Sequence, residues 1–188
     1  MVDDSDEMVW RLVLSGDSRR YGLIWDRHRD RIFRHLIASG NSATSAEDLT
    51  AATFLELWRR RDAVRFVDGS LLPWLIVTAQ NISRNAARAR RRYDRFLAAL
   101  PTPPVVPDPA DPIADRDHQH LIALREAIAA ARPADAMLLA MTALEGFTTR
   151  EAATALGLSE SAAKMRLTRL RARLRTAVTA HPLPEGGS

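Results

Sequence analysis

Residues 148–174 read TTREAATALGLSESAAKMRLTRLRARL, and this stretch carries the strongest fold signal in the chain. Thr148 stands three residues before Glu151, the spacing at which a hydroxyl and a carboxylate satisfy each other's backbone N–H groups at a helix start. Ala152, Ala153 and Leu156 follow at helical spacing, and Gly157 is the residue type that most easily takes the left-handed conformation that ends a helix. Leu158 plugs the turn, and Ser159 caps a second helix expected to run to about Val178. Two helices joined by a short glycine-containing turn make a helix-turn-helix. Along the second helix Ala163, Leu167, Leu170 and Leu174 form one apolar stripe, with Ser161, Met165, Thr168, Arg169 and Ala172 roughly opposite. Lys164, Arg166, Arg171, Arg173 and Arg175 flank that outer face, and no acid interrupts residues 161–175. A helical hairpin with a solvated basic side would share the apolar stripe. Cap, glycine turn and one-signed helix together point instead to a helix that enters a DNA major groove.

Upstream lies a segment of opposite character. Pro101, Pro103, Pro104, Pro107, Pro109 and Pro112 crowd together with Asp108, Asp111, Asp115 and Asp117, a composition that neither continues a helix nor builds a core. The chain is therefore expected to divide into a first domain over 1–97, a flexible Pro/Asp-rich linker over 98–119, the helix-turn-helix domain over 120–180 and a disordered tail over 181–188. The first domain carries 17 arginines against 13 acidic residues, and residues 121–188 carry nine basic against six acidic. Both modules are basic, and the strap between them is acidic.

Helical spacing recurs throughout and sustained apolar/polar alternation does not, so the fold class is all-α, two small helical domains with no strands expected. In the first domain a helix covers about Met8 to Leu14. A second runs from Tyr21 to Ala38 with Leu23, Ile24, Ile32, Phe33, Leu36 and Ile37 inward, and Gly40-Asn41-Ser42 breaks it. Thr44 three before Glu47, and Ser45 three before Asp48, give a double capping signal for a third helix ending near Arg60. After the loop with Asp68-Gly69-Ser70, Pro73 sits in the first turn of a long helix from Trp74 to about Phe96.

The long helix separates two faces. Leu75, Ala79, Ile82 and Ala86 are expected to face the core, leaving Trp74, Asn81, Arg84, Asn85 and Arg88 on exposed sides. Its end gathers Arg84, Arg88, Arg90, Arg91, Arg92 and Arg95 within a few turns, a density that phosphates relieve. Beside it, Trp74 and the loop residue Phe66 have the flat faces that stack on unpaired bases, and Asn81 has the donor–acceptor pair that reads a base edge. Taken singly, each aromatic is more commonly a core residue.

Composition excludes much else. A chain of 188 residues with 46% hydrophobic and 27% charged residues is an ordinary globular protein. Arginine supplies all the basic residues but Lys164, a bias that suits phosphate and guanine recognition and that a GC-rich genome also produces. Without cysteine there are no disulfides or thiolate metal sites, and no run approaches the roughly 20 apolar residues of a membrane span. The acidic start (Asp3, Asp4, Asp6, Glu7) has the wrong sign for a secretory signal, so the cytoplasm is the expected compartment. His28 and His35 lack a carboxylate at the usual four-residue spacing, His118 and His120 border the linker, and phosphate loops and nucleophile elbows are missing. Neither catalysis, a metal nor a cofactor is expected.

Two motifs carry a family resemblance. Ser45-Ala46-Glu47-Asp48-Leu49 through Thr53-Phe54-Leu55-Glu56-Leu57-Trp58, then Pro73-Trp74-Leu75 through Asn81 and the arginine run, resembles region two of extracytoplasmic-function sigma factors. Gly146-Phe147 through Glu151-Ala152-Ala153, Leu156-Gly157-Leu158-Ser159 and Lys164-Met165-Arg166-Leu167 to Leu174 resembles their region four. The likeness spans about residues 10–97 and 120–178, in the same order. It implies that the chain binds RNA polymerase core and promoter DNA, with an anti-sigma factor as a further partner and no membrane insertion. Polymerase contact would fall to Glu47, Asp48, Phe54, Leu57 and Trp58 on the β′ clamp helices, the C-terminal domain resting on the β flap. Minus-ten DNA would be held by Phe66, Trp74, Asn81, Arg84, Arg88 and Arg91, and melted without ATP. The minus-thirty-five element would be read by Ser161, Lys164, Met165, Thr168 and Arg169. The chain departs from the family pattern at Ala51 and Ala52, where a glutamine and an acid are common, at Val77, where an arginine is common, and at Ala162-Ala163, which replace a frequent Thr-Val. The alternative reading is a helix-turn-helix transcription regulator with an N-terminal sensing or protein-interaction domain, which would bind duplex DNA without polymerase. An adaptor using its helices only for protein contacts is a further rival.

Overall fold

A computed structural model describes residues 5–98, 124 and 126–179. Within them the helices are α1 (Asp6–Leu14), α2 (Tyr21–Ala38), α3 (Ala43–Arg59), α4 (Leu72–Ala98), α5 (Pro133–Ala143), α6 (Thr149–Ala155) and α7 (Glu160–Thr179), with a 3₁₀ turn at Ser18–Arg20. Residues 126–129 add a helical turn before α5. No named strand occurs among the described residues; Val67 and Ser70 form an isolated bridge. The linker beyond Ala98, His118, His120 and the tail over 181–188 lie outside the described residues.

Helices α1–α4 form the first domain. Ile24, Ile32 and Leu36 of α2, Leu49, Phe54 and Leu57 of α3 and Leu75, Ile76 and Ala79 of α4 are buried against Val9, Trp10 and Val13 of α1. Leu23 and Ile37, expected inward, are instead exposed, because the buried arc of α2 is completed by His28 and His35. Both histidines are held by carboxylates far away in sequence, Asp6 and Glu145. Aromatic packing closes the far end: Trp10 tilts against Tyr21 at 5.9 Å, Tyr21 meets Trp58 edge-on at 5.4 Å, and Trp25 packs on Phe54 at 4.6 Å. The Tyr21 hydroxyl donates to the Phe54 carbonyl at 2.5 Å, and burial raises its pKa.

Helix α3 begins earlier than the Thr44/Glu47 and Ser45/Asp48 spacings predict. Gly40, at φ +89°, turns the chain out of α2, and the Asn41 amide donates to the Leu36 carbonyl at 2.8 Å. Ser42 is thereby extended and becomes the cap, accepting from the Ser45 N–H at 3.3 Å, so Thr44 and Ser45 fall inside the first turn. Helix α4, at 27 residues, outlasts α2 and α3, at 18 and 17. Its last turns therefore project past the bundle, and Ala86, expected in the core, is exposed.

The loop before α4 is a tight turn with Asp68 at φ +50° and Gly69 at φ +77°, both central residues left-handed, and Val67 and Ser70 exchange hydrogen bonds of 3.0 Å across it. Asp6 anchors this loop. Its Oδ2 accepts from the Leu71 N–H at 2.8 Å and the Ser70 hydroxyl at 3.3 Å and lies 2.7 Å from His28 Nε2; its Oδ1 accepts from Arg27 at 3.3 Å.

Helices α5–α7 form the second domain. The capping box is complete: the Glu151 carboxylate accepts from the Thr148 N–H at 2.7 Å, and the Thr148 hydroxyl accepts from the Glu151 N–H at 3.2 Å. The Thr148 hydroxyl donates to the same carboxylate at 2.7 Å, and this bond, with that from the Thr148 N–H, holds the Glu151 carboxyl below its ordinary pKa. Gly157 takes φ +66°, and the Ser159 hydroxyl accepts from the Ala162 N–H at 3.2 Å to start α7. Thr148→Ala removes one side of this box and is expected to destabilise the C-terminal domain by about 1 kcal/mol. A lowered urea midpoint of that domain's unfolding checks it.

Candidate DNA and polymerase interfaces

Helix α7 is positioned by the stripe that the sequence marks out. Ala163, Leu167, Leu170 and Leu174 are all buried, and Ser161, Lys164, Met165, Thr168 and Arg169 are all exposed. The outer face is ordered locally: the Thr168 hydroxyl donates to the Lys164 carbonyl at 3.0 Å, and Lys164 Nζ lies 2.6 Å from Glu160 Oε1. Beside this face is a cleft of about 380 Å³ lined by Arg132, Asp135, Arg166, Arg169, Leu170 and Arg173. Asp135 is the one acid there and pairs with Arg166 at 3.4 Å, so the cleft keeps a strong positive charge. Sequence reading missed Arg132, which lies 34 positions before Arg166 and reaches the cleft only because α5 folds back on α7.

On α4, Trp74 and the loop residue Phe66 are half-buried and pack against the core, the commoner role for an isolated aromatic, while each keeps part of its surface in solvent. Asn81, Arg88 and Arg91 are exposed, the last two on the projecting end, which also exposes Tyr93 and Phe96. Arg84, expected on an open side, is half-buried because the second domain lies over it, and its Nη2 donates to the Pro133 carbonyl at 3.1 Å. Burial, and then the charge of Arg88, lower its pKa.

The expected polymerase-binding residues divide. Glu47 and Asp48 are exposed in the second turn of α3, and among the described residues neither carboxylate has a hydrogen-bond or ion-pair partner. Phe54 and Leu57, expected as contacts, are core residues at 2% and 0% exposure: helical periodicity turns them inward on the same stripe as Leu49. Leu55 and Trp58 are the exposed apolar residues of that segment, Trp58 with Arg61 stacked over it at 5.3 Å. Between α2 and α3 runs a groove of about 370 Å³ lined by Trp25, Arg29, Asp30, Phe33, Glu47 and Thr50. Among the described residues no helix is long and apolar enough to cross a membrane.

Comparison with known proteins agrees with this layout. Residues 24–93 match the family described as Sigma-70 region 2, and residues 121–174 the one described as Sigma-70, region 4. The chain is 30% identical over 147 residues to the RNA polymerase sigma factor CarQ of Myxococcus xanthus, covering 76% of this chain and 80% of CarQ. To the RNA polymerase sigma factor NccH of Alcaligenes xylosoxydans xylosoxydans it is 26% identical, covering 93% of this chain and 95% of NccH. Among solved structures the fold is similar to CnrH in complex with the cytosolic domain of CnrY, with TM-score 0.61, 24% identity and coverage of 95% of this chain and 99% of that one. It is also similar to the sigma factor RpoE in complex with the anti-sigma factor NepR from Bartonella quintana, with TM-score 0.52, 21% identity and coverage of 87% and 97%. With both regions present in order and each built on the expected helices, the chain belongs to the sigma-70 family of RNA polymerase sigma factors, in its extracytoplasmic-function group, and directs polymerase to promoters.

Proposed function

We propose that this sigma factor fastens to the polymerase clamp through α3 and reads its promoter with two separate surfaces, one on each domain. The observation that carries the proposal is the outer face of α7: Ser161, Lys164, Met165, Thr168 and Arg169 stand in solvent, held there by a fully buried apolar stripe on the same helix. That face enters the major groove of the minus-thirty-five element, and Arg132, Arg166 and Arg173 in the neighbouring cleft take adjacent phosphates. On the first domain the exposed carboxylates of Glu47 and Asp48, with Leu55 and Trp58, meet the clamp helices; Ala51 and Ala52 leave this contact leaner than is usual in the family. Phe66, Trp74 and Asn81 capture bases of the opened minus-ten element, and Arg84, Arg88 and Arg91 hold its phosphates. Stacking at about 1–3 kcal/mol per base offsets unpairing, so the chain contributes binding and no bond-making chemistry of its own. It acts in the cytoplasm beside the polymerase, and an anti-sigma factor, as in the NepR complex, is a further partner.

Run-off transcription with purified core polymerase and a genomic promoter library tests this directly. Discrete start sites dependent on the added chain, together with co-purification with core, are the expected result. Tight binding to duplex promoter DNA without polymerase, and no initiation, would favour a stand-alone helix-turn-helix regulator.

A further inference from the structure

Glu145 lies in the turn between α5 and α6, yet among the described residues its side-chain partners are both in the first domain. Its Oε2 accepts from Arg31 Nε at 3.0 Å, its Oε1 lies 2.8 Å from His35 Nδ1, and its backbone carbonyl accepts a further bond from Arg31 Nη2. The other His35 nitrogen lies 3.1 Å from Gln80 Oε1 on α4, and Arg31 also sits over the Phe147 ring at 5.9 Å. The Glu145–His35 pair is buried, the Glu145 side chain being 7% exposed and that of His35 0%, while Arg31 closes the solvent side. Burial by itself would raise the Glu145 carboxyl; the hydrogen bonds from His35 and Arg31 outweigh it and keep the pKa below the ordinary value. Around this centre Arg84 is tied to Pro133 and Arg150 pairs with Asp68 at 2.8 Å, while the buried apolar residues of the two domains form one continuous cluster. A carboxylate so enclosed is favourable only while its partners stay in place, so the contact is made or broken as a unit.

What the contact covers is selective. The outer face of α7 and the Glu47–Asp48 surface remain exposed, whereas Arg84 on α4 lies under the second domain. We infer that Glu145 is the catch of an intramolecular dock, in which the C-terminal domain of the free chain lies on the α2–α4 face and withholds Arg84 from single-stranded minus-ten DNA. The inference rests on the proposed role of Arg84 in gripping that strand. Docking lowers the apparent affinity of the free chain for single strands by the fraction of molecules left undocked. Polymerase and the minus-thirty-five element meet surfaces that the dock leaves open, and the minus-ten grip becomes complete only on release.

The test uses the full chain and two readouts: radius of gyration from small-angle scattering, and anisotropy of a fluorescein-labelled dT12 strand. Glu145→Gln keeps the shape of the side chain and removes its charge; it is expected to expand the protein and bind dT12 at least fivefold more tightly, a gain mostly lost when Arg84→Ala is added. A folded Glu145→Gln protein with unchanged radius and affinity overturns the dock, and expansion without tighter binding overturns the withholding of Arg84. If Glu145→Gln does not fold, E145R and the R31E/E145R pair decide: recovery of the wild-type radius in the pair supports the catch, and a pair as expanded as the single variant sinks it. Run-off transcription by the wild-type chain reports separately on promoter function, whose failure would leave the scattering result standing.

Discussion

Replacing Lys164 and Arg169 together by alanine is expected to lower promoter-specific run-off transcription roughly 100-fold, on the basis of about 1–3 kcal/mol for each good contact to a base edge and a tenfold change per 1.4 kcal/mol. Both side chains are exposed on the outer face of α7, and neither belongs to the buried stripe, so the fold and the amount of sigma bound to core should be unchanged. Two local effects push the same way. Arg169 also lines the arginine cleft, so its loss weakens base and phosphate contact together. Lys164 neutralises Glu160 at 2.6 Å, so removing it leaves a bare carboxylate where DNA phosphates approach. The measurement is run-off transcription at fixed salt on one promoter, with core binding followed in parallel. Undiminished transcription from the double variant would mean that α7 serves protein contacts alone and would favour the adaptor reading.

A second large effect is expected at Asp6, which no DNA or polymerase contact explains. Burial by itself would raise this carboxyl; the His28 hydrogen bond, the Leu71 N–H, the His28 charge and Arg27 overcome it and bring the pKa from 3.8 down to about 2. A folded-state value below the ordinary one means that the stabilisation is fully present above about pH 4 and is lost as the pH falls through about 2. The shift corresponds to about 2 kcal/mol. Asp6→Ala also strands the Leu71 N–H, the Ser70 hydroxyl and His28, so a loss of about 3 kcal/mol at neutral pH is expected. Urea unfolding of both proteins between pH 7 and pH 2 checks the size and the sign. The variant should lose the part of the acid sensitivity that belongs to this carboxylate, and parallel curves for the two proteins would remove Asp6 from that role. The loop carrying Asp68 and Gly69 is tied to α1 through Asp6, so minus-ten capture is expected to weaken in the variant as well.

Much of the architecture is legible without coordinates, and the legible parts share one property. The Thr148–Glu151 box, the Gly157 stop, the Ser159 cap and the Ala163–Leu167–Leu170–Leu174 stripe each depend on residues three or four apart, and each is present as read. The span of α2 from Tyr21 to Ala38 also follows from such signals. Where two local signals compete, the reading slips. Thr44 and Ser45 look like caps, but Ser42 takes the position because the turn at Gly40 and Asn41 delivers it there first. Periodicity likewise cannot say where a helix leaves its bundle, which is why Ala86 matches the core stripe and still faces solvent. Phe54 and Leu57 lie in the family motif for polymerase contact but serve the core, because a motif marks a segment and burial selects which of its faces is free.

Local chemistry thus determined the all-α class, the helix ends, the helix-turn-helix and the outer face of α7, since capping and side-chain periodicity act within a turn or two of the chain. Only the tertiary structure decided the surroundings of the charges. His28 finds Asp6 across 22 positions, His35 finds Glu145 across 110, and Arg84 finds the Pro133 carbonyl across 49. No spacing rule reaches that far, because these pairs form where packing of apolar helices brings the groups together, and a buried charge is stable only where such a partner is already waiting.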